Sequence, residues 1–432
     1  MDKPSKKVTI ITLGCAKNQV DSEALWSQLE GNDLEVTSSI SDASIAVINT
    51  CGFIDEAKKQ SVDTILEAVK LKNEGRLERV IVMGCLSERY HDDLVREIPE
   101  VDRFFGSNDV PMIVSELGGN YKYELLGERQ LSTPQYSAYL KISEGCDNPC
   151  SFCAIPIMRG VHRSKPAGEI MDEVMKLVNK GVKELIVIGQ DTTYYGLDLY
   201  GQRKLASLLN SLANVKELEW VRLMYAYPAK FPHDVLQAFQ ENPKICRYMD
   251  MPIQHASDNV LKSMRRGITR RAMESLIESV RKAVPDIALR TTLITGYPNE
   301  TDRDVEELIN FIKVVRFDRL GVFTYSQEDG TGAYGLGDPI PHDEKEARRA
   351  RIMDVQKEIS RERNEGRIGK IVRAVVERCE DGSHIGRTVW DAPEIDNEIF
   401  ITPANGRHLS VGDFVDVLVT DAAEFDLYGD IV

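Results

Sequence analysis

AYLKISEGCDNPCSFCAIPIMRG, residues 138–160, sets a β-rich apolar run directly before three cysteines, Cys146, Cys150 and Cys153. The CxxxCxxC spacing lets one loop wrap three thiolates around a single cubic iron–sulfur cluster. Three ligands for about four irons leave one iron open, and an under-ligated metal is a reactive one. A structural zinc needs a fourth ligand nearby, and His162 stands beyond a proline and a glycine, so iron is the preferred reading.

Working outward from this loop, β-rich runs recur at 184–189, 219–224, 247–253, 287–294 and 319–325, separated by helical stretches. With the run at 138–143 they make six β/α units, which predicts an incomplete parallel barrel over residues 132–366. The stretch 326–343, rich in Gly, Asp and Pro, reads as a long loop before a charged helix. Upstream, runs at 7–14, 44–50, 79–84 and 101–106 alternate with helices opening near Val20 and covering about 54–73 and 87–97, the pattern of a doubly wound parallel sheet over residues 1–131. Downstream, five short strands within residues 367–432 fit a small open β-barrel of the oligonucleotide-fold type.

The N-terminal sheet carries a second set of thiols. Cys15, Cys51 and Cys85 each follow a different predicted parallel strand, and each has Gly14, Thr50 with Gly52, or Gly84 beside it. The carboxyl ends of such strands share one edge, where ligands bind. One such cysteine alone is best read as a small core residue; three in register read as ligands of a second iron–sulfur cluster with its own open iron. Cys246 and Cys379 fit neither pattern and read as core thiols.

Hydrophobic residues make up 42% of the 432-residue chain, enough for several cores. No run of about 18 apolar residues occurs, and the N-terminus lacks a signal-like apolar segment, so a cytoplasmic protein without membrane contact is expected. Net charge is −15. Lys and Arg number 15 against 23 acids over 1–131, 33 against 33 over 132–366, and 6 against 13 over 367–432. The acidity lies in the flanks.

The CxxxCx(aromatic)C loop, with Phe152 before its third cysteine, resembles the radical S-adenosylmethionine superfamily. TLGCAKNQVDSE (12–23), NTCGFIDEAKKQS (49–61), GCLSERY (84–90), ISEGCDNPCSFCAIPIMRG (142–160) and GYPNET (296–301) together resemble the methylthiotransferase family over the whole chain. That resemblance implies an N-terminal methylthiotransferase domain, a radical S-adenosylmethionine core and a C-terminal TRAM barrel. It also implies two 4Fe-4S clusters, each on one three-cysteine set, and S-adenosylmethionine bound at the open iron of the cluster on Cys146, Cys150 and Cys153. In the family's chemistry that cluster cleaves S-adenosylmethionine to a carbon radical. The cluster on Cys15, Cys51 and Cys85 holds the sulfur to be methylated and transferred.

Two branches of the family differ in substrate. One, the MiaB type, modifies an adenosine of tRNA; the other, the RimO type, modifies the β-carbon of an aspartate in the twelfth protein of the small ribosomal subunit. VWDAPEIDN (389–397) and the 142–160 loop are similar to the second, although Gln19 stands where that branch is expected to carry an apolar residue. Charge agrees with the second branch: a net −7 over 367–432 repels phosphate and attracts a basic ribosomal protein. Asp391, Glu394, Asp396 and Glu398 are the expected docking cluster. The partners implied are that ribosomal protein, free or on the ribosome, and an electron-donor protein, with nucleic-acid binding not primary. Gln190, His255 and Arg290 stand near strand ends, where a structural hydrogen bond and a cofactor contact are equally good readings. A closed metal scaffold without turnover and an ordinary nucleophilic methyltransferase are the remaining rivals; the open ligand shells oppose the first, the absence of a glycine-rich turn the second.

Overall fold

The computed structural model describes residues 7–380, 383–402 and 409–432. Residues 1–6, on which the reading of the N-terminus partly rests, lie outside them. The N-terminal sheet is wholly parallel, with β1 (Lys7–Thr12), β2 (Glu35–Thr37), β3 (Ile45–Thr50), β4 (Arg79–Gly84) and β5 (Arg103–Phe104) in the order β2-β1-β3-β4-β5. All six residues of β3 are buried, as expected of an Ile/Val run covered on both faces. Helices on the two sides make two separate cores. Ile48, Val80 and Val82 face Ile65 of the helix Asp55–Asn73, and Val47, Ile81 and Met83 face Leu25 and Leu29 of the helix Ala16–Glu30. The helix expected near Val20 starts earlier, directly after Cys15, and the three-residue β2 was not anticipated.

The six-stranded central sheet is the incomplete barrel. It comprises β6 (Ser137–Lys141), β9 (Glu184–Ile188), β10 (Trp220–Leu223), β11 (Ile245–Asp250), β12 (Ala288–Thr295) and β13 (Arg319–Thr324), neighbouring one another in chain order. Between β6 and β9 a two-residue-per-strand hairpin, β7 (Ser143–Glu144) with β8 (Arg163–Ser164), clips the ends of the first cysteine loop together. The outer face packs on helices. The inner face, with Tyr139, Ile186, Trp220, Tyr248 and Ala288, instead packs on Val20 from the N-terminal part and on Val375 and Ala392 from the C-terminal part. Cys246 lies in this inner core, as expected; Cys379 is exposed at the end of a C-terminal strand, which corrects its reading as a core thiol.

The C-terminal barrel is closed rather than open. β14 (Ile371–Glu380), β15 (Ser383–Thr388), β16 (Ile399–Thr402), β17 (Phe414–Ala422) and β18 (Leu427–Ile431) run in the order β14-β15-β16-β18-β17, and β17 returns to β14. Closure depends on the parallel pairing of β16 with β18, which no hairpin spacing announces. Among the described residues, no helix is long and apolar enough to cross a membrane.

Candidate functional site

The three N-terminal cysteines converge because the register of the parallel sheet aligns their strand ends. Thr12 pairs with Asn49 and Thr50 with Gly84, so the chain leaves β1, β3 and β4 at one edge. Glycine lets the three loops touch. Gly14 has φ +91°, and a Cβ there would stand 2.7 Å from Cys51 Cβ and 2.9 Å from its Sγ; a Cβ at Gly52 would stand 2.9 Å from Leu86 Cα, one residue past Cys85. A polar frame locks them. Asn18 donates to the carbonyls of Leu13 (2.8 Å) and Thr50 (3.0 Å), and Ser61 Oγ accepts from Cys51 N and donates to its carbonyl, both at 3.0 Å. Cys51 and Cys85 are buried and Cys15 is exposed.

The second set lies across a domain junction. Cys146 Sγ accepts from Asn148 Nδ2 at 3.5 Å; Cys150 Sγ has Tyr227 Oη at 3.5 Å and accepts from Arg266 Nη1 at 3.2 Å. Ser151 anchors the loop through its backbone N–H to the Met264 carbonyl (3.0 Å) and its hydroxyl to the Ser263 carbonyl (2.8 Å). Burial pushes the free thiols up, Cys146 to about 11 and Cys153 to about 12. No disulfide joins any of the eight cysteines.

One side chain joins the two sets. Arg159, 1% exposed, comes from the short helix Ile155–Arg159 that follows Cys153, yet its Nε–H donates to Cys85 Sγ at 3.2 Å. Its other nitrogens meet Asp21 Oδ2 at 2.7 Å, Glu144 Oε2 at 3.2 Å and the Asn18 side-chain oxygen. Lys141 completes the group, holding Glu144 at 2.6 Å and also pairing with Asp21. Burial alone would raise the Glu144 carboxyl; Lys141 and Arg159 hold it down at about 2. Burial drives the Cys85 thiol up to about 12 against the pull of Arg159. The sequence carried a trace of this network. Asn18, Asp21 and Ser22 recur at helical spacing in the first turns after Cys15, and all three are buried. That Arg159 is the partner of Asn18 and Asp21, while Ser22 accepts from Asn49 and Thr12, was not legible.

Both thiol sets fit iron–sulfur clusters. Each offers three unpaired thiols, N–H donors aimed at sulfur, and, in the first set, loops whose glycines keep side chains out of the space between the thiols. No three His, Cys, Asp or Glu among the described residues are close enough to hold a single metal ion. A four-iron cluster is wider and holds its thiolates further apart. His162 is buried, with Nε2 on Ser164 Oγ at 3.0 Å.

Other expectations fare differently. Asp391 is buried against Arg319 Nε (2.7 Å) and the Thr388 hydroxyl (2.5 Å), and Asp396, 2% exposed, accepts from Tyr248 Oη (2.7 Å) and pairs with Arg290 (3.3 Å). Glu398 accepts two bonds from Arg378; Glu394 alone of the four is exposed. Two members of the expected docking cluster, Asp391 and Asp396, therefore belong to an internal seam between the terminal barrel and the central sheet. Arg290 belongs to that seam, also holding Asp250 at 2.8 Å. His255 is buried, accepting from Ser257 N at 2.9 Å beside Glu300, and Gln190 donates to Glu144 at 3.2 Å. All three have structural partners. Gln19 donates to Ser132 at 2.9 Å, away from the thiols.

Residues 7–106 match Uncharacterized protein family UPF0004, residues 140–312 the Radical SAM superfamily and residues 368–432 the TRAM domain. A solved structure of TsrM, a radical S-adenosylmethionine methyltransferase from Kitasatospora setae, shares the fold with TM-score 0.58 at 13% identity, covering 76% of this chain and 77% of that one. The ribosomal protein uS12 methylthiotransferase RimO of Cytophaga hutchinsonii is 52% identical, covering 99% of this chain and 98% of its own. The RimO protein of Chloroherpeton thalassium is 50% identical over the full length of both. With half of its residues shared along essentially its entire length, the chain belongs to the RimO methylthiotransferase family.

Proposed function

We propose that this protein is a radical S-adenosylmethionine methylthiotransferase that places a methylthio group on the β-carbon of an aspartate in ribosomal protein uS12, acting in the cytoplasm. Cys146, Cys150 and Cys153 would hold the 4Fe-4S cluster that binds S-adenosylmethionine. Cys15, Cys51 and Cys85 would hold a second 4Fe-4S cluster. The division of the chain follows at 1–131, 132–366 and 367–432. When bound, these groups supply an electron to cleave S-adenosylmethionine and a site for the sulfur to be transferred.

The chain's own part is placement. A β-carbon C–H is too weakly acidic for a side-chain base near neutral pH, so the reaction calls for hydrogen abstraction in a dry, fixed geometry. Arg266 and Asn148 direct N–H donors at the sulfurs of one set, orienting the ligands as outer-shell partners do, and Tyr227, whose own O–H donates to the Arg266 carbonyl at 2.8 Å, lies against Cys150 Sγ. Arg159 ties that loop to Cys85 and so sets the distance between the two thiol sets. Glu328 adds a second tie: from the 326–343 loop it binds Arg89 (2.5 Å) and Lys58 (3.0 Å), and Arg89 also caps the carbonyl of Gly52, next to Cys51, at 3.1 Å. The contact of Arg159 with Cys85 is the observation that carries this reading, because it couples two open-shelled thiol sets in one site.

Acidic residues that remain exposed on the terminal barrel, Glu380, Asp416, Asp421 and Asp430, suit a basic protein partner better than RNA. An electron-donor protein completes the partners. The test is anaerobic reconstitution followed by incubation with purified uS12, with small ribosomal subunits and with tRNA. Mass spectrometry should find methylthiolated aspartate in uS12. A methylthiolated adenosine in tRNA beside unmodified uS12 would overturn the assignment.

A further inference from the structure

Lys17, two residues after Cys15, is 7% exposed, yet among the described residues its ammonium has no hydrogen bond and no ion pair. Its Nζ lies 3.1 Å from the centroid of the Tyr225 ring. The nearby acids on the same helix are already engaged. Asp21, one turn on, is held by Arg159 and Lys141, and Glu23 by Arg129 and Ser132. A ring face offsets only part of the desolvation of an ammonium, so a buried lysine left in this state is short of a counter-charge.

Its surroundings say which counter-charge. Tyr225 follows β10 at the carboxyl end of the central sheet, where β/α folds bind ligands. Its backbone is held at φ +58°, costly for an aromatic residue, with its N–H donating to Asp250 (3.1 Å) and its carbonyl accepting from Thr192 (3.1 Å). Two residues on, Tyr227 touches Cys150. Lys17 thus stands between the exposed thiol of one set and the strand end that serves the other. The cation nearest the second set is a different one: Arg266, on Cys150, has a buried Nε with no partner.

We propose that Lys17 receives the side-chain carboxylate of the substrate, presenting its β-carbon between the two thiol sets. The inference rests on the uS12 reading above and names the group that recognises the aspartate. A charge-assisted contact of this kind is worth about ten- to a hundredfold in affinity.

The experiment uses the full-length reconstituted enzyme, its Lys17→Met and Lys17→Arg variants, and two probes: purified uS12 and uS12 with the target Asp replaced by Asn. Matched iron content shows that the variants fold. Calorimetry should show Lys17→Met binding uS12 at least tenfold more weakly than the parent, with Lys17→Arg recovering part of the loss. Both should bind the Asn form alike. The aspartate loss should appear in KM more than in kcat. Equal affinity of parent and Lys17→Met for uS12 would overturn the proposal, as would a matching loss of affinity for S-adenosylmethionine, which would assign the lysine to the cofactor. A parent that neither binds nor modifies uS12 would overturn the functional reading, and this inference with it.

Discussion

The central sheet is gripped on two sides by buried arginines, and the two grips end differently. At the terminal barrel the arginines meet carboxylates. Glu184 accepts from both Arg222 (3.0 Å) and Arg387 (2.5 Å), Asp391 faces Arg319, and Arg290 bridges Asp250 and Asp396. At the N-terminal domain Arg129 closes on Glu23 and Glu173 in the same way, but beside the thiols the network is left open: one N–H of Arg159 goes to sulfur, and Lys17 rests on a ring. Closed charge networks lock domains together. Open ones leave donors for something the chain does not itself contain.

The largest effect should come from separating the thiol sets. We expect about eight irons per reconstituted chain, and about four in either Cys150→Ala or Cys51→Ala. Cleavage of S-adenosylmethionine to deoxyadenosine should vanish in the first and persist in the second, which should fail only in sulfur transfer. A folded Cys51→Ala protein without cleavage would dissolve the distinction between the two sets.

Next in size is the closed seam. Replacing Arg387 by Met leaves the buried Glu184 with one charged partner, Arg222, and removing one member of such a network costs about 3–5 kcal/mol. Denaturant unfolding should show that loss with iron content unchanged. A variant as stable as the parent would mean the seam is not what seats the barrel.

A smaller change sharpens the role of Arg159. Lysine in its place keeps one positive charge but cannot span Asp21, Glu144 and Cys85 together. In the Cys150→Ala background, where the N-terminal set alone carries iron, Arg159→Lys should lower the reduction potential, because an N–H donated to sulfur favours the more negative reduced form. An unmoved potential would reduce Arg159 to a strut.

The mildest contrast is with pH. Arg387 and Arg222 overcome the burial of Glu184, and Arg319 and Arg367 that of Asp391, so both carboxyls titrate below their ordinary values of 4.5 and 3.8. Folded values below unfolded ones mean that this stability is fully present above about pH 4.5 and is lost as pH falls through the folded values. Asp396 opposes it, since burial raises its carboxyl. Scattering or calorimetry should find the terminal barrel loosening only below about pH 4, and loosening at pH 6 would contradict the assignment.

The sequence by itself determined the three-part α/β, α/β and all-β layout, because hydrophobic periodicity is local: a strand or helix shows its buried side within a few residues. It also determined the thiol sets. Cys146, Cys150 and Cys153 share one loop, and Cys15, Cys51 and Cys85 each follow a legible parallel strand. What only the tertiary structure decided is who partners whom. The charges of Asp391 and Asp396 are plain in the sequence and look like a docking surface, but Arg319 lies 72 residues away and takes Asp391 into the interior. Arg159 reaches Cys85 across 74 residues, and β16 finds β18 without a hairpin between them. A charge declares itself within its own residue, whereas its burial and its counter-charge are set by chain segments that only folding brings together.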